Sequence, residues 1–374
     1  MTANKLGDPA PADLPRATNS IGFLRIVLAG MVIYTHAYYL GGYAEEPLMR
    51  WTRGGLNAGT FAVQCFFVLS GWLVASSWLR LQSLPAFLWH RILRLGPAFW
   101  VCLVVTALVL GPLIHASSAE LRGAYFAQEP SAIGYVGHNL LQPRAQISIG
   151  DLTATNPHPG DLNGSLWTLF YEGSCYLAVA GCGLAGLLGY RGRYTWAVLL
   201  GVMLAAHPLA RAGVLPSVVL RFFDNPGKLM CWHFATGMTC AVFPSLPGWL
   251  ATRTWVALTG LAVLIAAWRL GWGGLLSPLA LPPVLFWLSG RLPVRNWEQR
   301  VGGDYSYGLY VYGYPVQQVL AQAGVHRQGL TAYLLLSLLL AGALAWLSWH
   351  AIEQPALRWR HAFTAARGKL SPSR

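Results

Sequence analysis

Charge is scarce in this chain: Asp, Glu, Lys and Arg make up 10% of its 374 residues, against about 25% in a typical soluble domain. So little charge cannot clothe a water-facing surface of this size, which excludes an ordinary soluble fold. Cysteine motifs are missing as well. Cys65, Cys102, Cys175, Cys182, Cys231 and Cys240 form no CxxC pair and no Cys/His zinc-finger spacing. Cys231 and His233, two positions apart, diverge on a helix. All six read as small core residues, with no metal and no disulfide expected. The first 19 residues, MTANKLGDPAPADLPRATN, lack the basic-then-apolar pattern of a cleaved signal. They read as a disordered cytoplasmic tail, leaving the first apolar run as a retained anchor. Internal repeats, heptads and a separate soluble domain are also lacking.

What is present is apolar. Hydrophobic residues reach 55% and mean hydropathy is +0.45. Runs of transmembrane length recur to the end of the chain. The expected fold is all-α: a polytopic integral-membrane helical bundle of about ten transmembrane helices. The spans fall near 21–40, 60–79, 96–115, 165–188, 194–211, 229–244, 254–270, 272–290, 303–322 and 330–351. The net charge of +13 would suit nucleic-acid binding in a soluble chain. Here the basic residues gather at span ends, where they set orientation, and no nucleic-acid partner is expected. With both termini cytoplasmic, sixteen basic residues fall inside and nine outside, with Arg25 in the first span completing the 26. The transmembrane domain then covers 20–358, with an external loop at about 116–164 and a basic cytoplasmic tail at 359–374. That loop exceeds what a connector needs and suits a lid or part of an acceptor site, or simple divergence of an exposed segment.

Several polar groups interrupt the apolar spans. In the stretch SIGFLRIVLAGMVIYTHAYYL (20–40), Arg25 and His36 are eleven residues apart. Eleven steps of 100° bring both side chains to one helix face, ~16 Å apart along the axis. Ionisable groups at such depth usually face a protein interior or a wet cavity. Alternatively, Arg25 snorkels to one interface and His36 joins Tyr34, Tyr38 and Tyr39 at the other. Ser70 and Gly71, in FFVLSGWLV, permit close approach of another helix or of a ligand. Arg91 and Arg94, in HRILRLGPAFW, point the same way if that segment is helical. Paired guanidinium groups suit phosphate oxygens, and they equally suit a positive-inside cluster. Glu172, in NGSLWTLFYEGSCYL, lies about two turns into the fourth span and needs a partner there, either a cation or a proton. Asn163–Gly164–Ser165 matches a glycosylation acceptor, a common pattern. Tyr305, Tyr307, Tyr310, Tyr312 and Tyr314 stack before Pro315, suggesting a polar-lined, kinked ninth span. Glu353 and Pro355 read as an ordinary span terminus.

In order along the chain come Arg-x10-His, FFVLSG, Arg-x-x-Arg, SLWTLFYEG, SYGLY and Ile-Glu-x-Pro. That series resembles the acyltransferase-3 family of integral-membrane O-acyltransferases, over about residues 20–358. The resemblance implies transfer of an acyl group, most often acetyl, from acyl-CoA to a hydroxyl. Acceptors in that family include exported or cell-envelope polysaccharides, peptidoglycan sugars and small molecules. The family's histidine falls on His36, its arginine on Arg25, its Arg-x-x-Arg on Arg91 and Arg94, and its SLW…E motif on Ser165, Leu166, Trp167 and Glu172. Two departures stand out. Gly313 occupies the place where the family often has a histidine, and Gly173 the place where a second acid commonly follows the first.

The resemblance implies a bacterial inner-membrane enzyme. Arg91, Arg94 and Arg25 would hold the donor's phosphates, and His36 would act as general base on the acceptor hydroxyl or as an acyl-histidine nucleophile. Glu172 would orient His36 or balance an arginine. Ser70, Trp167 or Tyr310 would supply an oxyanion donor, and no metal is needed. A rival from another class is a transporter or flippase using Arg25, His36 and Glu172 as a polar pathway. Its repeated halves are not seen here.

Overall fold

A computed structural model describes residues 20–117, 124–141, 143–189 and 192–361. The expected N-terminal tail, residues 362–374 of the basic tail, and residues 118–123 and 142 of the long loop lie outside the described residues. Among the described residues, every regular element is helical. The main helices are α1 (Ile21–Leu40), α2 (Ala58–Leu81), α3 (Leu84–Ser117), α4 (Ala132–Asn139), α5 (Trp167–Leu184) and α6 (Arg193–Arg211). They continue with α7 (Pro226–Val242), α8 (Ser245–Thr252), α9 (Thr254–Arg269), α10 (Gly273–Arg291), α11 (Ser306–Gln322) and α12 (Leu330–Arg358).

Five of these, α1, α2, α3, α10 and α12, are long and apolar enough to cross a membrane. The sharply bent α8–α9 pair makes a sixth if counted as one span. The remaining expected spans fall on α5, α6, α7 and α11, helices of 17 to 19 residues that are not among those long and apolar enough to cross a membrane.

Two elements differ from the sequence reading. The third span does not start near residue 96, because α3 is already helical at Leu84, with Pro97 inside it and a π-turn at Thr106–Leu110. Proline removes one backbone donor, a defect that neighbouring helices can absorb in a membrane. Arg91 and Arg94 therefore ride on α3 rather than ahead of it. Likewise Glu353 is no span terminus. It lies in a π-turn within α12 and is 2% exposed.

The chain divides into two units. One comprises residues 1–24, 63–87 and 171–297, the other residues 25–62, 88–170 and 298–374. In the first, α2 and α7 meet at two glycines. A Cβ on Gly71 would strike the Phe234 carbonyl, and one on Gly237 the Val68 carbonyl. Small residues allow this backbone approach, as in other lipid-embedded helix pairs. His233 is fully buried and satisfied at both ring nitrogens, by the Leu229 carbonyl (2.8 Å) and Ser277 Oγ (2.9 Å). The Cys175 and Cys231 sulfurs are 3.6 Å apart, and both are free thiols. Along α9, Trp255, Leu258, Leu261 and Ile265 are all exposed. Three- and four-residue spacing puts them on one apolar face, a face suited to lipid.

The second unit is built on α11. Val311, Tyr312, Tyr314, Gln317 and Gln318 on this helix are almost entirely buried. Helix α1 lies beside it in parallel: Gly313 abuts the Ile33 side chain, and Gln317 Nε2 donates to the Ile33 carbonyl (3.0 Å). Helix α12 runs antiparallel, with Gly308 against Ala345 and Tyr333 Oη donating to the Gln317 carbonyl (2.8 Å). Its other face exposes Leu335, Leu339, Trp346 and Leu347.

Candidate functional site

The Arg25 and His36 positions mark the two ends of the α1–α11 contact. At the Arg25 end, Gly302 takes the left-handed conformation (φ 86°) and turns the chain into the start of α11. Asp304 occupies this turn, 7% exposed. Its Oδ2 accepts from Arg25 Nη1 and from Arg94 Nη2, while its Oδ1 accepts from the Ser306 hydroxyl and amide. Arg94 Nη1 also lies 3.6 Å from Glu353 Oε2, and Glu353 Oε1 accepts from Ser348 Oγ (3.2 Å). The Arg94 guanidinium sits over the Tyr307 ring, 5.8 Å from its centroid. Two arginines and two acids from four parts of the chain thus balance one another. A guanidinium carries five N–H donors in a planar fork, and each of the two arginines gives one of them to Asp304. Arg91 is half-buried one turn before Arg94.

The His36 end is aromatic. The His36 ring meets the Tyr314 ring edge-on, with centroids 5.0 Å apart. Its Nδ1 is buried and has no hydrogen-bond partner among the described residues. One residue earlier, Thr35 Oγ1 donates to Glu46 Oε2 (2.5 Å) and accepts from the Gly59 amide (2.7 Å). Glu46 Oε1 takes the Ala58 amide (2.8 Å), so this buried acid caps the start of α2 rather than facing solvent.

The long loop packs against the same end. Gln318 Nε2 donates to the His158 and Asp161 carbonyls (3.2 and 2.7 Å), and its Oε1 accepts from Asn156 Nδ2 (2.7 Å). The His158 and Tyr39 rings stack at 3.9 Å. Burial pushes the His158 pKa down, while the Asp161 carboxylate pulls it the other way. Arg144 Nη2 reaches both oxygens of Asp161 at 2.8 Å. Asn163 is 3% exposed, donates to the Val311 carbonyl (2.9 Å) and caps the short 3₁₀ turn Gly164–Leu166. Its glycosylation match therefore falls on a buried, engaged side chain.

The sequence-derived candidates separate into groups. Arg25 and Arg94 converge on Asp304, a residue that composition and spacing did not single out. Its signal was faint: one acid in a Gly-Gly-Asp turn ahead of a span. Tyr310 shares the unit with His36, but its hydroxyl is engaged by Thr168 Oγ1 (2.5 Å) and the Ser165 carbonyl (3.1 Å). Trp167 is half-buried at the start of α5. Ser70 and Glu172 belong together in the other unit, where Glu172 Oε1 accepts from Ser70 Oγ (3.3 Å) and Tyr176 Oη (2.6 Å). Hydroxyls supply its partners there.

A family model described as an acyltransferase domain matches residues 18–350. The chain is 28% identical over 348 residues to an O-acetyl transferase of Shigella phage Sf6, covering 90% of this chain and 95% of that one. It is also 28% identical over 393 residues to nodulation protein 10 of Rhizobium leguminosarum bv. viciae, covering 93% and 96%. No solved structure matches the chain significantly.

Proposed function

The chain belongs to the acyltransferase-3 family, and from that membership and the polar groups along α1 we propose that it moves an acetyl group from acetyl-CoA to a carbohydrate hydroxyl across the bacterial inner membrane. Donor phosphates bind at the Arg25 end, where Arg25 and Arg94 meet at Asp304 and Arg91 lies one turn before Arg94. Charge-assisted, forked hydrogen bonds make guanidinium the side chain of choice for phosphate. The pantetheine arm carries the thioester towards His36, ~16 Å along the helix. The imidazole removes the acceptor's hydroxyl proton, and the resulting alkoxide attacks the thioester carbonyl.

The observation that carries this reading is the buried His36 Nδ1 without a partner, beside the aromatic cluster and the long loop. Buried polar groups are mostly paired, and His233 in the other unit is satisfied at both ring nitrogens. Both termini are placed in the cytoplasm and the 116–164 loop outside, with envelope or exported polysaccharide as the acceptor class. The phage relative is an O-acetyl transferase, which favours acetyl as the acyl group here.

The test uses purified, detergent-solubilised protein with acetyl-CoA and envelope glycan extracted from cells lacking it. Release of free CoA matched by acetylated glycan supports the enzyme. Uptake of glycan into proteoliposomes without CoA release would replace it with the transporter reading.

A further inference from the structure

The reaction develops negative charge on the thioester oxygen, and some donor must meet it. Tyr310 is poorly placed for this, because Thr168 and the Ser165 carbonyl already engage its hydroxyl. Tyr314 differs. It stands one helical turn further along α11, is 2% exposed, and its Oη has no hydrogen-bond partner among the described residues. A buried hydroxyl left unpaired is costly and uncommon. The ring packs edge-on against His36 on one side. On another it lies against Gly164, so closely that a Cβ there would come within 3.0 Å of the hydroxyl. The next residue, Ser165, is 1% exposed, and its Oγ also lacks a partner. Two of these unpaired atoms, on α1 and α11, belong to rings in contact, and the third lies on the residue that follows Gly164, which the Tyr314 ring touches.

On this basis, and resting on the reading of His36 given above, we infer that Tyr314 is a further catalytic residue whose hydroxyl donates to the oxyanion of the tetrahedral intermediate. The acceptor hydroxyl gives its proton to the His36 imidazole, and its oxygen bonds to the thioester carbon. The carbonyl π pair moves to oxygen, where the Tyr314 O–H meets it. On collapse the C=O bond re-forms and the C–S bond breaks. The sulfur takes the proton from the imidazolium, leaving an ester and free CoA. Gly164 admits the tyrosine ring where any side chain would exclude it. Gly313, the neighbour of Tyr314, lets α11 approach Ile33 of α1 and so sets how near the two rings come.

The test is Tyr314→Phe, which keeps the ring and removes only the hydroxyl. In steady-state assays with acetyl-CoA and unacetylated envelope glycan, kcat should fall about 10²-fold, with KM for acetyl-CoA within about twofold of wild type. Its melting temperature should stay level or rise, because an unpaired buried hydroxyl has gone. A merely structural tyrosine would instead lose stability and keep its turnover. A kcat within about threefold of wild type would overturn the inference. Should the variant accumulate poorly, 3-fluorotyrosine at position 314 keeps ring and hydroxyl. Its more acidic phenol should move the alkaline limb of the kcat profile to lower pH, and an unmoved limb would count against the donor role. His36→Ala assayed alongside separates the two claims. An inactive His36→Ala beside a fully active Tyr314→Phe removes only the oxyanion donor, whereas full activity in both removes the general base as well.

Discussion

Arg25 and His36 lie on one face of one helix, and both face residues of α11 or its leading turn, yet their surroundings are opposite. Around Arg25 the charges are answered: Asp304 takes both arginines, and Glu353 stands by Arg94. Around His36 neutral polar atoms are left over, since its Nδ1 and Tyr314 Oη, and Ser165 Oγ in the turn beside Tyr314, are buried without partners. Paired ions fix the geometry of the guanidiniums, which under the proposed function meet the donor's phosphates. Unpaired donors and acceptors raise the energy of the resting site and are repaid only when reacting groups arrive. Under the proposed function the contrast divides the contact into an end that holds and an end that reacts, so stability and turnover should respond to different substitutions at the two ends.

The sharpest way to break this comparison is Asp304→Ala. Removing the shared carboxylate leaves two mostly buried guanidiniums facing each other, and breaking a buried pair in this way costs about 3 kcal/mol. Thermal unfolding in detergent should show a large drop in midpoint. An unchanged midpoint would mean that the cluster holds nothing together. A smaller effect is expected at the opposite end from Gln318→Ala, which frees the loop from three hydrogen bonds. The loss should be about 1–3 kcal/mol, with faster proteolysis between residues 143 and 163. The same variant should raise KM for the glycan more than KM for acetyl-CoA, and an equal rise in both would detach the loop from the acceptor. The smallest effect belongs to Glu172→Gln. A glutamine oxygen still accepts from Ser70 and Tyr176, so kcat should stay within about threefold of wild type. A far larger loss would return Glu172 to the chemistry.

Much of this arrangement is readable from local pattern, because helices announce themselves by apolar length and α1 was bounded correctly at 21–40. The shared face of Arg25 and His36 follows from helical periodicity alone. The counter-ions do not. Asp304 is 279 residues from Arg25, and no local rule links a Gly-Gly-Asp turn to a guanidinium that far away. Glu353 resembled a terminal residue because a following Pro355 usually ends a helix, yet α12 runs through it by way of a π-turn. Pro97 misled in the same direction by suggesting a start for α3 where the helix was already under way. Ser70 and Gly71 fared better. The close-packing reading holds for Gly71, which meets the backbone of α7. Choosing Tyr314 over Tyr310 required the partner of each hydroxyl, which depends on what three distant segments bring to α11.

The most direct test of the division between holding and reacting is His36→Ala, with acetyl-CoA binding and acetyl transfer measured on the same purified sample. Acetyl-CoA should bind as it does to wild type, while transfer to glycan falls by about 10²–10⁴-fold, the usual contribution of a general base. Transfer at the wild-type rate by a folded His36→Ala protein would contradict the assignment of the reaction to this end of α1.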